Sequence, residues 1–111
     1  MSKKVKQVII KNKVWDKQAI NDLLRRNDKA VERAILLLYS FQTYAEKHYG
    51  HTETNNGVGF NRYDSNILSS FAEQLNKGNS LSPKQLIIAR IKLQKYTGQI
   101  LNYMQDKENN K

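Results

Sequence analysis

Two histidines and two glutamates lie close together near the middle of the chain: Glu46, His48, His51 and Glu53. A His-x-x-His spacing beside acids suits a divalent metal, but a stable site needs at least three protein ligands in fixed geometry. These four residues straddle the predicted end of a helix and a polar loop, where fixed geometry is not expected. The absence of cysteine excludes a thiolate site, and no serine or threonine has a histidine and an acid arranged around it. We therefore predict a protein that is not an enzyme and that binds no metal or cofactor.

The most distinctive stretch is the loop Asn55–Asn61, which reads NNGVGFN. Gly57 and Gly59 allow positive φ and a close backbone approach, as in loops that bind phosphate. No Gly-Lys-Ser/Thr follows, however, and Asp64 at the next helix start would repel an anion. The favoured interpretation is structural: the glycines form turns, Phe60 fills the core, and asparagine side chains satisfy backbone groups.

Basic residues carry the functional prediction. Nineteen Lys and Arg against ten Asp and Glu give a net charge of +9, which attracts polyanions, most commonly nucleic acid. The N-terminal segment is rich in lysine, and no acid lies between Pro83 and Met104, where Lys84, Lys92 and Lys95 are predicted to share one polar face. The residues predicted to contact nucleic acid are Lys11, Lys13, Arg25, Arg26, Arg62, Lys84, Arg90, Lys92 and Lys95.

Two further groups support that prediction. Four cations cluster around the first predicted interhelical turn: Arg25, Arg26, Lys29 and Arg33. Three aromatic residues near the glycine loop are available to stack on bases: Tyr49, Phe60 and Tyr63.

The elements that must position these residues are mostly helical. At 111 residues the chain has the size of one domain, and we predict a mainly α fold, a compact bundle of about four helices with a Gly/Asn-rich loop. The expected organisation is a basic extended arm over residues 1–15, a single helical domain over 16–104 and a polar tail over 105–111.

The helix limits follow from capping signals. Asp16 is a predicted N-cap for a helix carrying Ile20, Leu23 and Leu24, and Asn27-Asp28 ends that helix and begins the next. The second helix, about 29–48, is apolar around most of its girth and is predicted to be central. Asp64 or Ser65 begins a third helix that Gly78 ends. Ser82-Pro83-Lys84-Gln85 predicts a capping box, followed by one continuous apolar seam with spacing 3, 4, 3, 4, 3 against a partner helix: Leu86, Ala89, Leu93, Tyr96, Ile100 and Tyr103. Gly98 within it suggests a close helix crossing.

The N-terminal arm has a β pattern. Val8, Ile10 and Val14 share one parity, so Val5–Trp15 is predicted to be a single extended strand. No other segment is predicted to be β, so this strand must lie across the helices, pair with a copy of itself in a homodimer, or order on a partner. We predict the homodimer, with Val8, Ile10 and Val14 buried against the helices.

The longest wholly apolar run, Ile35–Tyr39, is too short to span a bilayer. The first residues are charged and lack the apolar core of a signal peptide. A cytoplasmic protein is expected.

Several of these residues form a recognisable pattern. Asn56-Gly-Val-Gly-Phe-Asn61, Asp64, Leu81-Ser-Pro-Lys-Gln85, Arg90 and Lys95-Tyr-Thr-Gly-Gln99 resemble a module of phage and mobile-element proteins that is associated with helicase and DNA-replication proteins. The match covers about residues 30–101. The resemblance implies a nucleic-acid-handling accessory domain whose signature is Gly57, Gly59, Phe60, Asn61, Lys84, Gln85, Arg90 and Lys95. No ATPase motif accompanies the module, so motor activity is not expected.

The sequence thus predicts a small basic accessory protein of a phage or mobile element that binds DNA or RNA mainly through phosphate contacts. The alternative is a phage-encoded inhibitor of the anti-CRISPR type, which would bind a host nucleic-acid enzyme that carries an acidic patch or a bound strand.

Overall fold

The computed structural model describes residues 7–49 and 59–109, and the side chains of residues 43–49 lie outside the description. The fold is mainly α, as predicted. In chain order the elements are β1 (Val8–Ile10), β2 (Lys13–Trp15), α1 (Lys17–Arg26), α2 (Asp28–Tyr49), α3 (Ser65–Asn76), α4 (Pro83–Leu93), a 3-10 turn (Gln94–Tyr96) and α5 (Thr97–Asn109).

The predicted helix ends are confirmed where a local capping motif defines them. The side chains of Asp16 and Asn27 each accept the backbone N–H of the third residue that follows, at 2.8 and 3.1 Å. Ser82 and Gln85 form the predicted capping box at the start of α4. Gly78, with φ of +91°, follows the end of α3. Short-range hydrogen bonds of this kind depend on few residues, so the sequence predicts them well.

The predicted single strand at the N-terminus is wrong, because the chain turns back on itself there. Lys11 and Asn12 both have positive φ, 51° and 67°, which is the signature of a two-residue type I′ hairpin turn. β1 and β2 pair antiparallel in the register Val8↔Trp15, Ile9↔Val14 and Ile10↔Lys13. The backbone groups for which a second chain was invoked find partners within the chain, so the physical reason for predicting a homodimer falls away.

The hairpin also changes which side chains face the helices. Residues paired across strands share a face, so Val14 lies with Ile9 and not with Val8. Val8 is buried and Ile10 packs against the core, while Val14 and Ile9 are exposed. The predicted burial of Val14 is therefore wrong. Alternation of side chains predicts a common face only within one continuous strand, and the turn puts Val14 on the opposite face from Val8.

Helix α2 is the central element, as its all-round apolar pattern predicts. Val31, Ile35 and Leu38 are fully buried. The helix packs against α1, α3 and α4.

The last predicted helix is divided in two. A 3-10 turn at Gln94–Tyr96 separates α4, which packs on α2, from α5, which packs on α1 and β1. The predicted seam is buried from Leu86 to Ile100, but its two halves face different partners. The contacts of Gly98 do not show the predicted close helix crossing, since the nearest atom to a Cβ there would be the Lys17 Cε, at 3.4 Å, near the end of a flexible side chain. Helix α5 continues to Asn109 and so includes most of the predicted polar tail.

Among the residues described, none of the helices combines the length and the hydrophobicity needed to cross a membrane.

Candidate nucleic-acid interface

Two hydrogen bonds join the Gly59 backbone, at the end of the glycine loop, to the side chain of Gln99 on α5. The Gly59 N–H donates to Gln99 Oε1 at 2.7 Å, and Gln99 Nε2 donates to the Gly59 carbonyl at 3.1 Å. Gly59 has φ of +80°, and a Cβ at this position would lie 2.9 Å from the Gln42 Cβ. Both facts require glycine there. Asn56 and Gly57, the other predicted residues of this loop, lie outside the described residues.

Phe60 and Asn61 have the structural roles predicted for them. Phe60 is buried and meets the Tyr96 ring edge-on, with the centroids 6.0 Å apart. The Asn61 side-chain oxygen accepts the backbone N–H groups of Tyr63 and Asp64, at 3.0 and 2.9 Å. Burial makes Phe60 unavailable for stacking on a base, so that prediction is wrong for this residue. Tyr63 is 86% exposed and stays available, whereas the side chain of Tyr49 lies outside the description.

Asp64 is the centre of a polar network that we call the Asp64 cluster, formed with Lys92, Lys95 and Tyr96. The Asp64 side chain is only 2% exposed and makes no capping bond to its own helix. Lys92 Nζ donates to Asp64 Oδ1 at 3.2 Å, and Lys95 Nζ and the Tyr96 hydroxyl donate to Oδ2 at 2.7 and 2.8 Å. The Tyr96 oxygen in turn accepts the Asn61 backbone N–H at 2.9 Å. The carboxylate therefore joins the loop before α3 to the turn between α4 and α5.

The electrostatics of the cluster favour one protonation state at neutral pH. Burial alone would raise the pKa of the Asp64 carboxyl, but hydrogen bonds from Lys95, Tyr96 and Lys92 outweigh it, so this pKa lies below its ordinary value. Burial, together with the adjacent carboxylate, raises the pKa of the Tyr96 hydroxyl well above its ordinary value. Neither group changes its protonation near pH 7, and the cluster holds the loop in place.

Two other residues of the sequence signature also make structural contacts. Gln85 Oε1 accepts the Ser82 N–H at 2.9 Å, and the Gln85 amide exchanges hydrogen bonds with Gln74 on α3. Arg90 Nε donates to the Leu24 carbonyl at the end of α1 at 2.7 Å, and its guanidinium pairs with Asp28. Lys84, by contrast, is exposed.

The predicted nucleic-acid contacts therefore divide into two groups. Arg90, Lys92 and Lys95 are paired with carboxylates, which reduces the charge that they present to a ligand. Lys13 lies over the Trp15 ring, with Nζ 4.2 Å from the centroid. The remaining predicted contacts are exposed: Lys11, Lys13, Arg25, Arg26, Arg62 and Lys84.

The predicted polar face on the last helix is interrupted. Lys84 lies in the first turn of α4 and Lys95 in the 3-10 turn after it, and the exposed side chains of α4 between them are isoleucines. The sequence contains the signal for this, because Ile87, Ile88 and Ile91 are out of phase with the buried seam.

The strongest described concentration of exposed cations is the one predicted at the first interhelical turn, which we call the basic junction: Arg25, Arg26, Lys29 and Arg33. The two arginines lie in the last turn of α1, and Lys29 and Arg33 lie one turn apart on α2. All four are exposed, and none forms an ion pair with another described residue. The nearby Asp28 is engaged by Arg90.

An open groove of about 360 Å³ lies beside the basic junction, between α1, α2 and α5. Trp15 and Tyr103 give it two aromatic walls, and Asn27 and Arg33 are its polar lining residues at the junction. Ile20, Leu23, Leu24, Ala30, Ala34, Leu37, Ile100 and Met104 complete the lining. The sequence did not predict this groove, because its walls come from segments that are distant in the chain.

No group of three or more His, Asp or Glu side chains in the described part of the chain is placed to hold a metal ion. The side chains of His48 and His51 are outside that part. No protein-family model, curated protein or solved structure matches the chain.

Proposed function

We propose that this protein is a cytoplasmic accessory protein of a phage or mobile element that binds single-stranded nucleic acid at the basic junction and the groove beside it. The observation that carries the proposal is that four exposed cations without described ion-pair partners lie around the turn between α1 and α2, and that one of them, Arg33, lines a groove with two aromatic residues.

The junction supplies the phosphate contacts. Guanidinium and ammonium groups on the same surface release counterions when they meet a phosphate backbone, and this gives affinity without sequence preference. Arg25 and Arg26 at the C-terminal end of α1 and Lys29 and Arg33 on α2 can follow successive phosphates, because they lie on two helices that meet at a turn.

The groove supplies a place for a base. Sequence-tolerant binding of single strands combines a basic surface with aromatic side chains on which bases stack. Trp15 and Tyr103 are the aromatic residues placed for this, and Arg33 connects the groove to the junction. Lys13 over Trp15 adds a cation at the hairpin end.

The test uses the tryptophan fluorescence of the protein, since Trp15 is the only tryptophan. Labelled DNA and RNA strands of about 20 nucleotides, longer than a typical site, are titrated across a salt series. We expect the fluorescence to change on binding and the affinity to fall steeply with salt. Arg25→Gln, Lys29→Gln and Arg33→Gln should each reduce the salt slope by about 1.

Lys77→Gln is the matched control, because Lys77 is an exposed cation at the end of α3 and belongs neither to the basic junction nor to the groove lining. It removes the same charge and should leave the slope nearly unchanged. An equal reduction of the salt slope in Lys77→Gln and Lys29→Gln would contradict the proposal. So would an affinity for nucleic acid that does not depend on the salt concentration.

A further inference from the structure

The outer side of α4 carries three exposed isoleucines, which we call the isoleucine face: Ile87, Ile88 and Ile91, exposed by 59%, 36% and 65%. The opposite side of the same helix is buried in the core through Leu86, Ala89 and Leu93. Helix α4 is thus apolar on both sides, although only one side packs against the rest of the described chain.

Single exposed apolar residues are common, but a contiguous group on one helix face indicates an interaction surface. The three isoleucines lie within five residues and within two turns of α4. Isoleucine makes no hydrogen bond, so this face adds nothing to phosphate binding. It needs a ligand that has apolar side chains of its own.

The charges around the face restrict that ligand. Lys84, Ile88 and Ile91 fall in one line on α4, at spacings of 4 and 3. Lys95 lies beyond the helix, in the 3-10 turn, and its charge is paired with Asp64. No acid occurs between residues 83 and 105. Two described acids pair with cations of this segment: Asp28 with Arg90, and the buried Asp64 with Lys92 and Lys95. The face is therefore apolar, with no acid on its own helix and with one exposed cation, Lys84, that has no ion-pair partner among the described residues.

We propose that the isoleucine face binds an acidic amphipathic helix of another protein. Apolar side chains of such a helix would cover Ile87, Ile88 and Ile91, and a carboxylate at one end of it would reach Lys84. The face is one helix wide, which matches a helical ligand.

A second copy of this chain fits less well. Two such faces related by a two-fold axis would place no carboxylate against Lys84, because α4 contains no acid. Each copy also carries a net charge of +9. Like charges facing each other across an interface oppose association, so the charge pattern favours a different, acidic partner.

The inference is independent of the proposed nucleic-acid function, because none of the isoleucines belongs to the basic junction or the groove. Loss of one activity would leave the other measurable in the same protein.

The test is calorimetric titration with a synthetic helical peptide that has leucines on one face and flanking glutamates. A second peptide has the same leucines with lysines in place of the glutamates. We expect the acidic peptide to bind at least tenfold more tightly than the basic one. Ile91→Ser should weaken binding of the acidic peptide at least tenfold, and Lys84→Glu should also weaken it.

Ile9→Ser is the matched control, since Ile9 is 66% exposed, nearly the same as Ile91, but lies on the hairpin. It should leave peptide binding unchanged, and both variants should keep the melting temperature of the parent protein. Absence of peptide binding, equal binding of the two peptides, or equal loss in Ile9→Ser would overturn the proposal. Light scattering that shows a dimer which Ile91→Ser abolishes would also overturn it. The same holds if the protein binds anionic vesicles through Ile91 but does not bind the peptide.

Discussion

At the scale of single residues, Asp64 shows how a position can be predicted correctly and its role missed. The sequence places an acid at the start of a helix, where a cap is the usual function. In the structure Asn61 accepts the N–H groups instead, and Asp64 is left to bind Lys92, Lys95 and Tyr96. These partners are about 30 residues away in the chain, so no local pattern could indicate them.

The Asp64 cluster leads to a prediction about acid stability. The pKa of Asp64 is lower in the folded protein than its ordinary value, so the carboxylate contributes stability above that ordinary pKa, about 3.9. This contribution is lost as the pH falls through the lower folded-state pKa. Asp64→Asn should reduce the free energy of unfolding by about 1–3 kcal/mol at pH 7. The difference from the parent protein should shrink as the pH falls below about 4.

Denaturant unfolding at pH 7, 5 and 3 measures both effects. Asp106→Asn is the control, since Asp106 is an exposed acid on α5 that forms none of the ion pairs described. Its effect should stay within about 0.5 kcal/mol. A difference between Asp64→Asn and the parent that does not vary with pH would argue against an ionised Asp64 in the cluster.

At the scale of elements, Gly59 and Gly98 differ in whether the structure would accept a larger residue at their positions. Gly59 has positive φ and no room for a Cβ beside the α2 backbone, whereas Gly98 has its nearest contact with the flexible end of Lys17. Gly59→Ala should lower stability by about 1–3 kcal/mol, because both strain and a clash oppose it. Gly98→Ala should leave the melting temperature unchanged or slightly higher, because alanine is the better helix former. Thermal unfolding of the two variants side by side checks this, and an equal loss in both would contradict it.

The same scale shows which elements can be predicted from the sequence. Ser82, Pro83 and Gln85 define a helix start by contacts within four residues, and this prediction is confirmed. The hairpin was missed because Lys11-Asn12 is not one of the Asn-Gly or Asp-Gly pairs that mark a type I′ turn. The break at Gln94–Tyr96 was missed because the apolar spacing continues through it, and only tertiary packing sends the two halves to different partners.

At the scale of the whole molecule, the net charge can be predicted from the sequence, but the surface on which the free cations lie cannot. The excess of cations is visible in the composition, but which of them are neutralised depends on the fold. Arg90, Lys92 and Lys95 are paired, whereas the cations of the basic junction have no ion-pair partner in the described part of the chain. The groove beside the junction could not be predicted, because it exists only where α1, α2 and α5 meet. The sequence thus predicts the class of partner and leaves the location of its binding site to the tertiary structure.

The packing of α5 against α1 and β1 has a consequence for synthesis of the chain. A chain emerging from the ribosome makes the hairpin and α1 long before the helix on which they rest. Until then Val8 and Ile20, which are buried in the finished fold, lack their neighbours from α5. We expect a chain truncated after Tyr96 to keep much of its helical circular dichroism but to bind an apolar dye and unfold without a sharp transition, as a molten globule does. Sharp unfolding of that truncated chain would mean that α2, α3 and α4 are sufficient to complete a core before translation reaches α5.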